Sequence, residues 1–296
     1  MYVGAASWTD PTLTARGVFY PDDVRTPEGR LRHYASRFPL VEVDSPFYAL
    51  PTPQMSATWV ARTPDSFVFD VKAHALLTGH ATEVARLPAS LRSALPSALA
   101  TESRVYAKDL PSEIEDEVWR LFRDALEPLR SSGKLGAVLF QYAPWVTPTQ
   151  KSPAMLEQVR ERLGDIPVAV EFRNAAWLSE RLRTRTWDLL ARLGISYVAV
   201  DEPQGTPTSV PPLVQVTHRR LAVIRLHGQR ADTWAARGVP AVEKYRYLYS
   251  PAELEVWVSR IIEAAEAAEN LHVVFNNCYA NYGAVNAGEL IKRLAG

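Results

Sequence analysis

Short runs rich in β-branched and aromatic residues recur eight times along this chain, at residues 2–7, 40–44, 67–74, 137–142, 167–173, 197–201, 222–227 and 272–277. Each interval leaves room for a helix, as at 184–193 and 251–268. Strand–helix alternation implies parallel pairing through crossover connections, and eight such units close naturally into a (β/α)8 TIM-type barrel. At about 150 residues per domain, 296 residues would allow two domains, yet barrels of this class regularly use such a length for one. No compositional break divides the chain, so the expectation is an α/β fold in one domain spanning 1–296, with an insertion between strands 3 and 4 across 75–134. The acidic amphipathic part of that interval (Glu113, Glu115, Asp116, Glu117, Asp124) reads as a helix on the barrel exterior.

The rival is a doubly wound open sheet, which would carry a Gly-rich turn after its first strand if it bound a dinucleotide. The turn here is Gly4-Ala5-Ala6-Ser7-Trp8, and the chain also lacks a Walker A loop, a G-x-S-x-G elbow and an H-E-x-x-H helix. No motif names a cofactor. Lys+Arg and Asp+Glu are 33 each, a balance that argues against a surface built to coat nucleic acid or anionic membrane. The single cysteine, Cys278, excludes an internal disulfide framework and a zinc site of several thiolates. Without a basic leader or a stretch approaching about 18 apolar residues, the expectation is a soluble cytoplasmic protein with no membrane partner.

Alternate strand residues share a face, so the parity of the polar ones tells which face they occupy. Val168, Val170 and Phe172 oppose Ala169, Glu171 and Arg173; Val41 and Val43 oppose Glu42 and Asp44; Phe67, Phe69 and Val71 oppose Asp70, Lys72 and His74; Ile224 and Leu226 oppose Arg225 and His227. The apolar sets suit a helix layer. Gln141, Asp201 and Asn276 follow the same split, and the polar positions gather toward the C-terminal ends of the strands, where barrel ligands bind. The predicted mouth thus holds five carboxylates (Glu42, Asp44, Asp70, Glu171, Asp201), three fixed cations (Lys72, Arg173, Arg225) and two histidines (His74, His227). They form either an ionic lattice filling the upper barrel or a site in use.

At these positions the sequence resembles the YecE-like family, catalogued as domain of unknown function number seventy-two. The likeness runs from Val3 to about Leu290, through Trp8, Phe19-Tyr20-Pro21, Glu42, Phe47-Tyr48, Lys72, Leu139-Phe140-Gln141, Glu171-Phe172-Arg173, Trp177, Arg225, His227-Gly228 and Phe275-Asn276-Asn277. The resemblance implies a TIM-type barrel and supplies no reaction. The family's Gly-Thr-Ser-Gly-Trp opening departs to Gly4-Ala5-Ala6-Ser7-Trp8 here, losing two hydroxyls and the Gly before Trp8.

Glu171, Glu42 and His227 are the candidate acid–base residues. Lys72, Arg173 and Arg225 are candidates for binding an anion, and Trp8, Tyr48, Gln141, Trp177, Asp201, Asn276 and Asn277 complete the expected ligand-binding set. A metal held by Glu42, Asp44, Glu171, Asp201 and His227 is opposed by the three cations in the same pocket, so no metal residue is assigned. Three readings stay open. The first is an enzyme using carboxylate or histidine acid–base chemistry on a small anionic or phosphorylated ligand. The second is a nucleic-acid-binding or processing protein, by loose analogy with endonuclease-IV barrels, using Arg181, Arg183, Arg185, Arg219, Arg220 and Arg230 on the rim. The third is a noncatalytic ligand sensor.

Overall fold

The computed structural model describes residues 1–206, 208–236 and 238–295. In chain order the strands are β1 (Tyr2–Ala6), β2 (Leu40–Val43), β3 (Val68–Lys72), β4 (Thr82–Glu83), β5 (Arg104–Val105), β6 (Leu135–Gln141), β7 (Val168–Glu171), β8 (Ser196–Asp201), β9 (Ala222–Leu226) and β10 (Leu271–Phe275). All except β4 and β5 join in parallel as a closed barrel, in the order β1-β2-β3-β6-β7-β8-β9-β10. Each barrel strand overlaps one of the eight expected runs. Closure leaves no free edge, and the strands are buried on both faces, which is why they read as near-continuous apolar runs.

The outer wall (Val41, Phe69, Val71, Phe140, Val170, Phe172, Ile224, Leu226) is covered by helices whose starts are written in the sequence. Thr26 and Thr52 cap helices Pro27–Ala35 and Pro53–Ala61, each accepting a backbone N–H and followed by a proline. Ser250 and Glu253 form a capping box on Pro251–Ala267. The expected helices at 184–193 and 251–268 appear as Arg183–Arg192 and Pro251–Ala267.

The 75–134 interval divides into added material and the expected exterior helix, and one later connection departs from the strand–helix pattern. Within 75–134, the helix Ser112–Ser131 is part of the barrel's own outer layer, burying Val118, Trp119, Phe122 and Leu126, with Trp119 stacked on Phe140. The added material is confined to 75–111, where β4 and β5 pair antiparallel beside two short helices, Ala89–Ala94 and Ser97–Ala100. Just past the long helix, the buried Lys134 ammonium donates to the carbonyls of Val60 and Thr63, 2.9 and 2.8 Å, and so closes the end of Pro53–Ala61. Between β8 and β9, no helix occurs among the described residues. Pro203, Pro211 and Pro212 lack the N–H a helix needs. The connecting chain is instead held to the strand layer by Thr217, whose hydroxyl donates to the Ile195 carbonyl and accepts the Tyr197 N–H, both at 2.8 Å.

No helix among the described residues is long and apolar enough to cross a membrane.

Candidate functional site

Strand register decides which side chains meet inside the barrel. Glu42 lies beside Asp70, Gln141 beside Glu171, and Arg225 beside Val274 and Val200, all on the inner face. Arg225, rising from β9 and fully buried, is the centre of the arrangement. Its guanidinium grips Glu42 with two hydrogen bonds, Nε to Oε2 at 2.8 Å and Nη2 to Oε1 at 2.5 Å. Nη1 donates to Glu171 and, at 3.2 Å, to Gln141. This forked donor set matches carboxylate geometry as an ammonium would not.

Arg173 extends the lattice on the other side of Glu171. Its Nε is 3.2 Å from Glu171 Oε1, Nη1 reaches Glu202 at 2.5 Å, and Nη2 donates to the Tyr245 hydroxyl at 3.0 Å. The guanidinium lies over the Trp234 ring, 4.9 Å from its centroid. Glu202 also accepts the Val210 N–H at 2.7 Å. His227 places Nε2 3.3 Å from Glu171 Oε1, and its Nδ1 lies 2.9 Å from the Asn276 amide nitrogen. An amide nitrogen can only donate, so Nδ1 accepts and the imidazole proton sits on Nε2, facing Glu171. At the outer edge Lys72 lies 3.5 Å from Asp44 and over the ring of Phe47.

Four carboxylates (Glu42, Asp44, Glu171, Glu202) therefore stand against three cations (Lys72, Arg173, Arg225), one negative charge in surplus. Burial pushes Glu42 up to about 7 against the pull of Arg225, and pushes Glu202 up to about 7 against Arg173. Burial acts upward on Glu171 too, but the Arg225 and Arg173 guanidiniums, with the His227 N–H facing it, outweigh it and hold that carboxyl well below the usual range. Burial lowers His227 to about 3, leaving it neutral. Glu42 and Glu202 are thus the carboxyls raised toward neutrality, while Glu171 stays ionised. Three buried atoms of the lattice, Asp44 Oδ1, Glu171 Oε1 and His227 Nε2, have no well-formed hydrogen bond. Above Arg173 opens a cavity of about 160 Å³ lined by Pro144, Arg173, Thr208, Trp234, Lys244 and Tyr245. His80 belongs to the same mouth: burial, Lys72 and Arg173 together lower it to about 4.

The structure thus brings together Glu42, Gln141, Glu171, Arg173, Arg225, His227 and Asn276, with Lys72 at the edge. Other expected members lie elsewhere. Asp201 is in register with Leu226 and so faces away from Arg225, its oxygens accepting from Tyr249 Oη at 2.6 Å and Gln229 at 2.7 Å. The inner face of β8 is carried by Ser196, Val198 and Val200 and continues to Glu202, the carboxylate that parity missed by one residue. Asn277 donates to the Tyr247 carbonyl and to Asn286, anchoring the last helix. Trp8 packs edge-on against Trp59, and Trp177 stacks on Phe172 with centroids 4.1 Å apart; both are core. Tyr48 is half exposed, beside Phe47. Asp70 sits lower in the barrel, against His272, and the buried His74 caps the turn that follows β3. Tyr245 comes from an irregular connection with no periodic signal. Ser7, in the place of the family's Gly, adopts φ of 62°, the left-handed conformation glycine takes most easily.

The donor set weighed for a metal does not assemble, because Arg225 occupies the space between Glu42 and Glu171 and Asp201 points the other way. Nor do the rim arginines form one surface: Arg219 and Arg220 precede β9 while Arg230 follows it, at opposite ends of the barrel. Arg230 is paired with Asp232 and Glu243.

The sequence signature of the family described as protein of unknown function DUF72 matches residues 2–296. The UPF0759 protein YunF of Bacillus subtilis (strain 168) is 29% identical over 298 residues, covering 99% of this chain and 94% of its own. A DUF72 family protein from Enterococcus faecalis V583 superposes with a TM-score of 0.79 at 26% identity, covering 100% of this chain and 95% of its own. Another from Thermotoga maritima MSB8 does so at 0.78 and 27%, covering 100% and 99%. With its whole length matched and the barrel reproduced, the chain belongs to the DUF72 family.

Proposed function

We propose that the protein is an enzyme that moves a proton on a small polar ligand bound at the C-terminal mouth of the barrel. The observation that carries this reading is a buried lattice with one carboxylate more than it has cations, in which Glu171 Oε1 sits 3.2 Å from Arg173 Nε and 3.3 Å from His227 Nε2 without a well-formed hydrogen bond to either. A structural lattice would be expected to close its charge and its hydrogen bonds, since unpaired buried groups are costly.

The roles divide by environment. Glu42, lifted to about 7, is the group matched to proton exchange at neutral pH, where general acid–base catalysis is most effective. Glu171 remains the fixed negative charge that holds Arg225, Arg173 and His227 in place. Neutral His227 turns its Nε2 proton toward Glu171 and helps to hold that carboxylate in place. The two arginines are consumed by internal pairs, so the cation that meets an anionic group on the ligand is Lys72, whose one carboxylate neighbour is 3.5 Å away.

The test is solvent deuterium incorporation, followed by proton NMR, into a panel of small hydroxy-aldehydes, hydroxy-ketones, hydroxy acids and their phosphate esters in D2O. The wild type should exchange a C–H of at least one compound. Glu42→Gln should lose that exchange with its unfolding midpoint retained, and Lys72→Met should raise KM for an anionic substrate with kcat little changed. Exchange that survives in Glu42→Gln, or a wild type inert toward the whole panel, would overturn the reading.

A further inference from the structure

We propose that the opposite, N-terminal face of the barrel holds a second ligand site, a cavity that takes a small oxyanion such as a carboxylate or phosphate between Arg160, Arg220 and His272. Sites in barrels of this class form at the C-terminal face, so this one is separate from the mouth and does not depend on its chemistry.

The cavity has a volume of about 470 Å³, well above the 160 Å³ over Arg173. It opens where β3, β6, β7, β9 and β10 begin. Its edge is open at Gly133 and Gly164, where a Cβ would meet nothing within 4 Å. The floor is tight, since a Cβ on Gly136 would come within 2.4–2.7 Å of Val68, Asp70 and His272.

Charge pairing around the rim takes up the lining carboxylates more than the lining arginines. The two acidic residues of the lining, Asp165 and Glu269, are engaged from outside by Arg130 at 2.9 Å and Arg219 at 3.7 Å, neither of which lines the cavity. The two lining arginines are differently placed. Among the described residues no carboxylate lies within salt-bridge distance of Arg160 or Arg220. Arg160 spends one Nη on the Ile166 carbonyl at 2.7 Å, while its buried Nε has no partner. Arg220 is exposed. His218 lies in the field of both, and burial together with Arg220 and Arg160 lowers its pKa.

His272 supplies the third contact. Its Nδ1 is 3.0 Å from both oxygens of buried Asp70 and donates there, so Nε2 of the neutral ring is an acceptor and offers an N–H to an anion only as the imidazolium. Two guanidiniums lining one cavity, one with a buried unpartnered Nε, are suited to an oxyanion and offer little to a cation.

The probe is inorganic phosphate, titrated into the intact protein by isothermal calorimetry and 31P NMR at constant ionic strength. Saturable binding is expected, weakened about tenfold or more in Arg220→Gln, an exposed position at which folding is retained, and similarly in Arg160→Gln. Arg120→Gln, an exposed position on the exterior helix Ser112–Ser131, should bind phosphate as the wild type does. The proposal is overturned if phosphate does not saturate, if Arg220→Gln binds unchanged, or if Arg120→Gln loses binding to the same extent.

Discussion

Replacing Arg225 with methionine tests the lattice most directly. The substitution keeps much of the side-chain volume while deleting both hydrogen bonds to Glu42, the one to Glu171 and the one to Gln141. Glu171 keeps Arg173 at 3.2 Å and His227 at 3.3 Å, but Glu42 retains only the field of Lys72. Removing one partner of a buried ion pair costs about 3–5 kcal/mol, a large share of a total stability of roughly 5–15. Protonation limits the loss. Burial already raises Glu42 from 4.5 to about 7, a gap that corresponds to about 3 kcal/mol. A carboxyl whose folded pKa is raised favours the folded state at low pH and loses that contribution as pH climbs from its unfolded value through its folded one. Without Arg225 the folded value rises further, so the penalty persists to higher pH. Urea unfolding followed by tryptophan fluorescence should therefore give a deficit of about 3–5 kcal/mol near pH 8, and one smaller by about 1–3 near pH 5. Adding Glu42→Gln, which removes the stranded charge, should recover part of the deficit. A loss under about 1 kcal/mol near pH 8, or an equal loss at both pH values, would refute the account of Glu42 as an ionised partner held by Arg225.

Other substitutions probe the surrounding supports. Lys134→Met should cost about 1–3 kcal/mol in urea unfolding, because the Val60 and Thr63 carbonyls lose a buried donor. Asp201→Asn should lower stability by about 1–2 kcal/mol through its hydrogen bonds with Tyr249 and Gln229, while any proton-exchange activity persists; loss of activity without loss of stability would return Asp201 to the site. His74, which burial lowers to about 4, stays neutral in the fold while the unfolded chain takes up a proton below its ordinary value of 6.5. It therefore withdraws stability as pH falls from 6.5 toward 4, and His74→Asn, which can still cap the turn, should flatten that part of the pH–stability curve; an unchanged slope would show His74 is not its source.

The barrel was legible because eight apolar runs recur with helix-length gaps, and inner-face parity held wherever a strand alternates polar with apolar, as at Glu42, Arg225 and Glu171. It failed on β8, where Ser196 to Val200 is buried on both faces and carries no alternation, so that only register against β7 and β9 separates Asp201 from Glu202. Trp8 and Trp177 follow strands as mouth residues would, but the turns fold both rings back onto the wall. Tyr245 arrives from a non-repetitive connection, and no local pattern marks such a contact in advance. Among the described residues no helix joins β8 to β9, as Pro203, Pro211 and Pro212 favour, a cue that helix-length spacing alone does not carry.

Arg225 links β9 to β2, β6 and β7, four of the eight staves, through a single side chain. A hoop on the inside has a kinetic corollary: the mouth cannot loosen one stave at a time, so amide protons in the upper halves of these strands should trade with solvent in one concerted event. Whatever variation this scaffold tolerates in its chemistry must then enter from the connecting loops, since any change to the hoop is felt at once by the frame.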